Sequence, residues 1–134
     1  MIEWKNTLMG ALGIKIIKKS DGFITATMQV DNRTCQTYGV LHGGASLALA
    51  ETLAGIGSMD ICEENEIPCG LSVSGNHMLA VPLGHTVTAT GSLIFKGKTT
   101  HVWNVDIRNE EDELVSTVRI VNHIVIRKKK GNNE

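Results

Sequence analysis

The residues best suited to chemistry cluster in one stretch of the sequence, QTYGVLHGGASLALAET, at positions 36–52. Its one acid, Glu51, is the only charged residue between Arg33 and Asp60. An unpaired buried charge costs several kcal/mol, so a lone carboxylate among glycine, alanine and serine is more typical of a pocket or an interface than of a core. The alternative is that Glu51 faces solvent from the outer side of a helix. In a pocket, a carboxylate serves as a general base or a nucleophile.

The glycines at positions 43 and 44 predict a helix start that can bind an oxyanion. The first N–H groups of a helix have no intrahelical partner and carry partial positive charge. Gly43 and Gly44 have no side chains, so an oxygen atom can reach these groups. His42 directly precedes Gly43 at this helix start, and Gln36 can supply a side-chain amide donor from the preceding loop.

The spacing between the glycines and the acid indicates more than one subunit. Gly43 and Glu51 are eight residues apart, which is about 12 Å along a helix axis at 1.5 Å per residue. One carbonyl group cannot contact both. Either the two residues do not cooperate, or Glu51 serves the helix start of a neighbouring copy related by a two-fold axis.

The element that carries these residues is one long helix, which we expect to begin near Gly43 and end near Ser58. At 100° per residue, one side of this helix contains Glu51 and mostly small residues: Gly44, Leu47, Ala54, Gly55 and Ser58. The opposite side carries residues expected to pack on a sheet: Ala45, Leu49, Leu53 and Ile56. Small residues beside Glu51 allow a ligand or another backbone to approach closely.

Alternating apolar residues predict five strands around this helix, after a short leading helix. One strand precedes the long helix, in GFITATMQV, and four follow it, in CGLSVSGNHML, HTVTATGSLIF, HVWNVDI and LVSTVRIVNHIVI. In HTVTATGSLIF, one face is expected to hold Val87, Ala89, Gly91, Leu93 and Phe95. The short turns KGK and NEEDE require antiparallel pairing. The fold class is therefore α+β, an antiparallel sheet packed on one helix, with a face or an edge left for another copy of the chain.

Composition limits the remaining classes of function. The chain has 134 residues, 42% of them hydrophobic and 20% charged, with a net charge of −1. This indicates one domain, at residues 1–126, and gives no general attraction to nucleic acid or an anionic membrane. Three cysteines and dispersed histidines argue against a disulfide framework and a metal site, so we expect a cytoplasmic protein with no metal. Residues 127–134, RKKKGNNE, are expected to form a flexible basic tail.

The central stretch resembles the signature of hotdog-fold acyl-CoA thioesterases. The similarity is to the branch with a glutamate on the central helix, which includes 4-hydroxybenzoyl-CoA thioesterase of the Arthrobacter type and the bacterial 1,4-dihydroxy-2-naphthoyl-CoA hydrolases of menaquinone synthesis. GLSVSGNHM and GKTTHVWNVDI extend it along the chain. The resemblance implies a five- or six-stranded antiparallel sheet wrapped around the helix. It also implies a homodimer with active sites between its subunits, and a homotetramer built as a dimer of dimers.

The resemblance also assigns roles to individual residues. Glu51 would be the catalytic carboxylate, the Gly43 N–H would polarise the thioester carbonyl, and His42 and Gln36 would hold that carbonyl or the attacking water. The remaining residues expected to contact substrate are Gly44, Gly55, Ser58, His77, Met78, Lys96, Lys98, Thr99 and Thr100.

The chain departs from the family pattern at two positions. Gly55 lies one turn after Glu51, near the place where some relatives have a serine or threonine that assists the water, and it has no hydroxyl. Leu79 stands where relatives often carry an arginine or lysine near the CoA phosphates. Phosphate contacts would then come from the KGKTT turn, residues 96–100.

The implied reaction is hydrolysis of an acyl-CoA to free acid and CoA, with CoA as part of the substrate and no other cofactor. Glu51 would activate water or attack the carbonyl itself. The resemblance favours an aromatic acyl group such as 1,4-dihydroxy-2-naphthoyl. Two alternatives are a hotdog-fold hydroxyacyl dehydratase or hydratase and a non-catalytic acyl-CoA-binding protein.

Overall fold

The computed structural model describes residues 1–127. A turn of 3-10 helix at Trp4–Asn6 is followed by α1 (Leu8–Ala11), β1 (Lys15–Ser20), β2 (Phe23–Gln29), α2 (Gly43–Ile61), β3 (Glu66–His77), β4 (Thr86–Lys96), β5 (Thr100–Arg108) and β6 (Leu114–Ile126). The expected basic tail lies outside the described residues except for Arg127, whose backbone N–H donates to the carbonyl of Asn65 at 2.6 Å.

The strands form one antiparallel sheet in the order β1-β2-β4-β5-β6-β3, and α2 packs against its strands β2 to β6. The predicted α+β class is confirmed, with one more strand than the pattern of apolar residues suggested. The missed strand, β1, is an edge strand with almost no buried side chains, so it shows no alternation. Its hairpin to β2 turns at Asp21 and Gly22, and Gly22 has a φ of +76°. An Asp-Gly pair is a hairpin signal that could have revealed it.

The predicted face of β4 is mostly correct, and β5 alternates between buried and partly buried residues in the same way. His101, Trp103, Val105 and Ile107 are all buried on one face of β5. On β4, the prediction that Phe95 shares the buried face of Val87 is wrong, because Phe95 is 55% exposed. The register with β5 shifts between Leu93 and Phe95. The extra residue of this bulge turns the following side chain to the other face.

Helix α2 is longer than predicted and is rotated about its axis relative to the expected packing. Leu49 and Leu53 are buried as expected, but Ala54 and Ser58, placed on the side of Glu51, are fully buried too. Gly57 explains the rotation, since a Cβ at this residue would lie 2.4 Å from the Trp103 ring. The indole fills the space that the glycine leaves, and this side of the helix faces the sheet.

Strand β3 is the second edge of the sheet and lies beside the exposed side of α2. Among the described residues it pairs only with β6, and its register shifts between Gly70 and Ser72, so that Leu71 is an extra residue, 67% exposed. Gly70, Gly75 and His77 of β3 all approach α2. This edge therefore carries the part of the helix that contains the predicted site.

Candidate active site

The first turn of α2 presents one free backbone donor. The Nδ1 atom of His42 accepts a hydrogen bond from the Gly44 N–H at 2.7 Å and caps the helix. Among the described residues, nothing accepts a hydrogen bond from the Gly43 N–H. The prediction that both glycine N–H groups are open to a ligand is therefore wrong for Gly44, and Gly43 is the group that can bind an oxyanion.

The cap determines what the His42 ring can do. Because Nδ1 accepts a hydrogen bond, the neutral ring carries its hydrogen on Nε2. The side chain is exposed, so Nε2–H can donate to a ligand beside Gly43.

The loop before α2 orients the Gln36 amide. This loop folds back on itself, with the His42 N–H bonded to the Thr34 carbonyl at 2.8 Å and the Gln36 N–H bonded to the Val40 carbonyl at 2.9 Å. The side-chain Oε1 of Gln36 accepts a hydrogen bond from the Tyr38 N–H. The amide nitrogen is therefore the end that remains able to donate.

His77, at the end of β3, completes this group. Its Nε2 atom lies 2.9 Å from where a Cβ on Gly43 would be, and its Nδ1 lies 2.7 Å from the hydroxyl of Ser116. Any side chain at position 43 would displace the ring. We call His42, Gly43 and His77 the donor half-site, and Gln36 lies in the loop that leads to it. Met78 follows His77 and is exposed.

Glu51 lies further along α2 and packs over Gly70, which is seven residues before His77 on β3. In the single chain the Glu51 side chain is exposed to solvent, which is the alternative given for it in the sequence analysis. Its Oε2 atom is 2.7 Å from where a Cβ on Gly70 would be. Sequence reasoning missed Gly70, although a glycine inside a strand pattern is a known sign of close approach or a bulge. We call Glu51 and Gly70 the acid half-site.

An apolar groove begins one helical turn beyond Glu51. It has a volume of about 590 Å³ and lies between α2, the N-terminal segment and the start of β3. Its apolar and glycine lining consists of Met1, Ile2, Trp4, Met9, Gly55, Ile56, Met59 and Pro68. A Cβ at Gly55 would meet no atom within 4 Å, so Gly55 leaves open space in the groove one turn after Glu51.

The two half-sites of one chain are separated as predicted. Gly43 and Glu51 both lie within α2, so about 12 Å of helix axis separates them. His77 lies against the first residue of the helix, whereas Gly70 lies beneath its middle. One chain therefore presents a backbone N–H donor and a carboxylate that cannot both contact the same carbonyl.

Ser58 does not reach either half-site. It is fully buried, and its Oγ accepts hydrogen bonds from Trp103 Nε1 at 2.8 Å and from Asn122 Nδ2 at 3.1 Å. With both lone pairs used, its hydroxyl donates to Nδ1 of His101 at 2.8 Å. Burial, with a smaller effect of Lys96, holds the pKa of His101 below its ordinary value. The rotation of α2 explains why a residue expected beside the substrate lies in the core.

The KGKTT turn lies at the opposite end of α2 from the donor half-site. Lys96 lines a cleft with Asp60, Ile61 and Cys62, which are the last residues of the helix and its C-cap. Lys98 and Thr99 are exposed in the turn and Thr100 begins β5. Within one chain, these residues can contact only a ligand that extends past the C-terminal end of α2.

Comparisons with known proteins identify the family of this chain. Residues 38–116 match the thioesterase superfamily family model. The crystal structure of a thioesterase from Haemophilus influenzae is 37% identical, covers 96% of this chain and 90% of its own, and has a TM-score of 0.89. The 1,4-dihydroxy-2-naphthoyl-CoA hydrolase of Listeria monocytogenes is 36% identical over 92% of this chain and 98% of its own. A hypothetical thioesterase protein from Streptococcus pneumoniae, solved with coenzyme A, is 27% identical with a TM-score of 0.78, covering 87% of this chain and 91% of its own.

The chain therefore belongs to the thioesterase superfamily and has the hotdog fold. It is an acyl-CoA thioester hydrolase, and not the dehydratase or the non-catalytic binding protein that the sequence also allowed. In the part of the chain that the structure describes, no helix is long and apolar enough to cross a membrane, and no three His, Cys, Asp or Glu side chains are grouped to hold a metal ion.

Proposed function

We propose that two copies of this chain form each active site and hydrolyse an aromatic acyl-CoA, with Glu51 of one copy facing the donor half-site of the other. The observation that carries this proposal is the free Gly43 N–H at a capped helix start, about 12 Å along α2 from the only acid in the same stretch. A donor and an acid at this separation become useful together only when a second chain supplies one of them.

The donor half-site suits the carbonyl oxygen of the thioester. The Gly43 N–H, the Gln36 amide and the His42 Nε2–H would stabilise this oxygen as attack gives it negative charge. One such donor contributes about 10²–10³-fold to the rate. Glu51 would remove a proton from water as it attacks, or attack the carbonyl itself to form an anhydride that water then hydrolyses. In both routes the CoA thiolate leaves, and neither route needs a metal or another cofactor.

The free edge of β3 supports the pairing of two copies. Among the described residues, the 12 residues of β3 have a neighbouring strand on one side only, and such an edge is a natural surface for strand pairing. Pairing of two β3 strands about a two-fold axis would bring the two α2 helices side by side in opposite directions. We expect a homodimer of this kind in the cytoplasm, assembled further into a homotetramer.

The groove beside Glu51 supports an apolar, flat acyl group. Its polar neighbours are already paired, since the Thr52 hydroxyl donates to the Ala48 carbonyl and Asp60 forms an ion pair with Lys19 at 3.2 Å. Gly55 leaves space where a side chain would narrow the entrance. The similarity to the Listeria hydrolase makes 1,4-dihydroxy-2-naphthoyl-CoA, from menaquinone biosynthesis, the first substrate to test.

The CoA portion would lie outside this groove. Met78 and the Gly44 backbone border the donor half-site, where the pantetheine arm would pass. Lys96, Lys98, Thr99 and Thr100 would contact the phosphates from the chain that supplies Glu51.

Subunit complementation tests both the residues and the shared site. Glu51→Ala and Gln36→Ala should each lower thiol release from 1,4-dihydroxy-2-naphthoyl-CoA by about 10²-fold or more. When the two inactive proteins are co-refolded in equal amounts, the mixture should regain about a quarter of the wild-type rate. This follows because half of randomly formed dimers are mixed, and each mixed dimer has one complete site. No recovery would contradict a site shared between subunits.

Two further variants test whether the position of the Glu51 carboxylate matters, rather than the loss of any negative charge. Glu111→Ala removes an exposed acid in the β5–β6 turn and should leave the rate unchanged. Gly70→Ala should displace the Glu51 carboxylate, because the nearest atom to the new methyl group is the movable Oε2. We expect a loss of about 10-fold in kcat with the unfolding transition unchanged. Full activity of Glu51→Ala would exclude Glu51 as base or nucleophile.

A further inference from the structure

Ser116 is the only hydrogen-bond partner of the His77 ring among residues 1–127. The two residues lie opposite each other, His77 on β3 and Ser116 on β6. Ser116 is fully buried, whereas His77 is exposed. The serine thus holds the ring from inside the protein, and the other edge of the ring faces Gly43.

The burial of Ser116 determines the direction of this hydrogen bond. A buried hydroxyl hydrogen needs an acceptor, and the described structure offers Ser116 no acceptor other than His77 Nδ1. The hydroxyl therefore donates to Nδ1, and the neutral ring carries its hydrogen on Nε2. In the reverse arrangement, the Nδ1–H would donate and the buried hydroxyl hydrogen would have no partner.

The Nε2 atom is the part of the ring that reaches the start of α2. It lies 2.9 Å from the position of a Cβ on Gly43, the residue whose N–H is free. A hydrogen on Nε2 therefore places a side-chain donor next to a backbone donor.

We propose that Ser116 is a positioning residue that keeps His77 in the tautomer with hydrogen on Nε2, so that this N–H and the Gly43 N–H bind the same carbonyl oxygen. The role of the carbonyl rests on the proposed function, but the tautomer does not. Both donors would stabilise the negative charge that develops on the oxygen during attack.

The tautomer can be measured without any substrate. In uniformly ¹⁵N-labelled protein, two-bond ¹H–¹⁵N correlations of the His77 ring distinguish hydrogen on Nε2 from hydrogen on Nδ1. We expect the Nε2–H form to dominate in the wild type and the two forms to mix in Ser116→Ala. A dominant Nδ1–H form in the wild type would overturn the proposal. This result is decisive even if no acyl-CoA tested is hydrolysed, so it separates this inference from the proposed function.

Kinetics then test whether the tautomer matters. Ser116→Ala should lower kcat by about 10-fold with KM within about twofold, because the interaction forms mainly in the transition state. Ser116→Cys, with similar volume and a weaker donor, should lie between alanine and the wild type. Ser92→Ala, at an exposed serine of β4, is the matched control and should have no effect.

A double-mutant cycle distinguishes positioning from a general structural role. In a His77→Ala background, Ser116→Ala should change kcat by less than about twofold, because the ring it acts on is gone. A loss of about 10-fold in both backgrounds would show that Ser116 acts through the fold and would overturn the proposal. If Ser116→Ala does not fold, Ser116→Cys is compared in the same two backgrounds.

Discussion

The molecule contains two histidine–serine pairs of nearly equal geometry in very different surroundings. His77 and Ser116 are joined at 2.7 Å beside the start of α2, and His101 and Ser58 are joined at 2.8 Å under its C-terminal half. In both pairs the serine is buried and Nδ1 is the atom contacted. The difference lies in what else surrounds each pair.

The serine of the inner pair is saturated. Ser58 also receives hydrogen bonds from Trp103 and Asn122, so every polar atom of the hydroxyl is used. Among residues 1–127, Ser116 of the outer pair has one side-chain hydrogen bond, and the Nε2 atom of its histidine faces the start of α2. The same hydrogen bond therefore stabilises the core in one place and leaves a ring nitrogen available for a ligand in the other. Saturation, rather than residue type, separates a structural pair from a candidate functional one.

The largest expected difference between the pairs is in stability. Ser58→Ala leaves Trp103 Nε1, Asn122 Nδ2 and His101 Nδ1 without their shared partner inside the core. We expect the free energy of unfolding to fall by about 3 kcal/mol, measured by urea denaturation with Ser92→Ala as the control. An effect below about 1 kcal/mol would mean that the network does not stabilise the core.

A smaller effect should appear as a pH dependence of stability. The buried His101 has a pKa below its ordinary value of 6.5, chiefly through burial and secondarily through Lys96, while Glu66 acts in the opposite direction. The unfolded chain therefore binds a proton at a pH where the folded chain does not. The His101 contribution is complete above pH 6.5 and is lost as the pH falls, with a slope of at most about 1.4 kcal/mol per pH unit.

Urea denaturation at several pH values measures this slope. His101→Asn is the matched variant, since its side-chain oxygen can accept the Ser58 hydrogen bond but does not titrate in this range. The slope between pH 6.5 and 5 should be smaller in this variant. Equal slopes in both proteins would assign the pH dependence to other groups.

The smallest stability effect is expected at the outer pair. In Ser116→Ala, the exposed His77 ring can replace the lost bond with one to water, so the free energy of unfolding should fall by less than about 1 kcal/mol. Urea denaturation beside Ser58→Ala gives the direct comparison. A loss as large as that of Ser58→Ala would make both pairs structural.

Sequence reasoning selected the candidate-site residues whose signals are local. Gln36, His42, Gly43 and Glu51 lie within 16 positions of one another, and their types and spacing indicated a donor group and a distant acid. Gly70 and Ser116 were missed because their significance depends on partners far along the chain. Gly70 lies under Glu51, and Ser116 on β6 lies opposite His77 on the neighbouring strand β3.

Ser58 and Phe95 show how a correct pattern can still give a wrong position. Helical spacing placed Ser58 on the side of Glu51, but Gly57 lets Trp103 approach and turns that side toward the sheet. Alternation placed Phe95 on the buried face of β4, but a bulge after Leu93 reverses the side chain. In both cases the spacing of the residues was predicted correctly. A tertiary contact in the helix and a register shift in the strand then changed which residues face the core.

The amino-acid sequence by itself determined the α+β class, the long helix with its glycine start, and the separation of donor and acid along that helix. These depend on local periodicity and on the fixed rise of an α-helix. Only the tertiary structure decided that Gly44 is capped while Gly43 is free, that Gly70 makes room for Glu51, and that Ser58 has three side-chain partners while Ser116 has one. Those features arise where strands and the helix meet, because packing and hydrogen-bond satisfaction are set by neighbours that the local sequence does not contain.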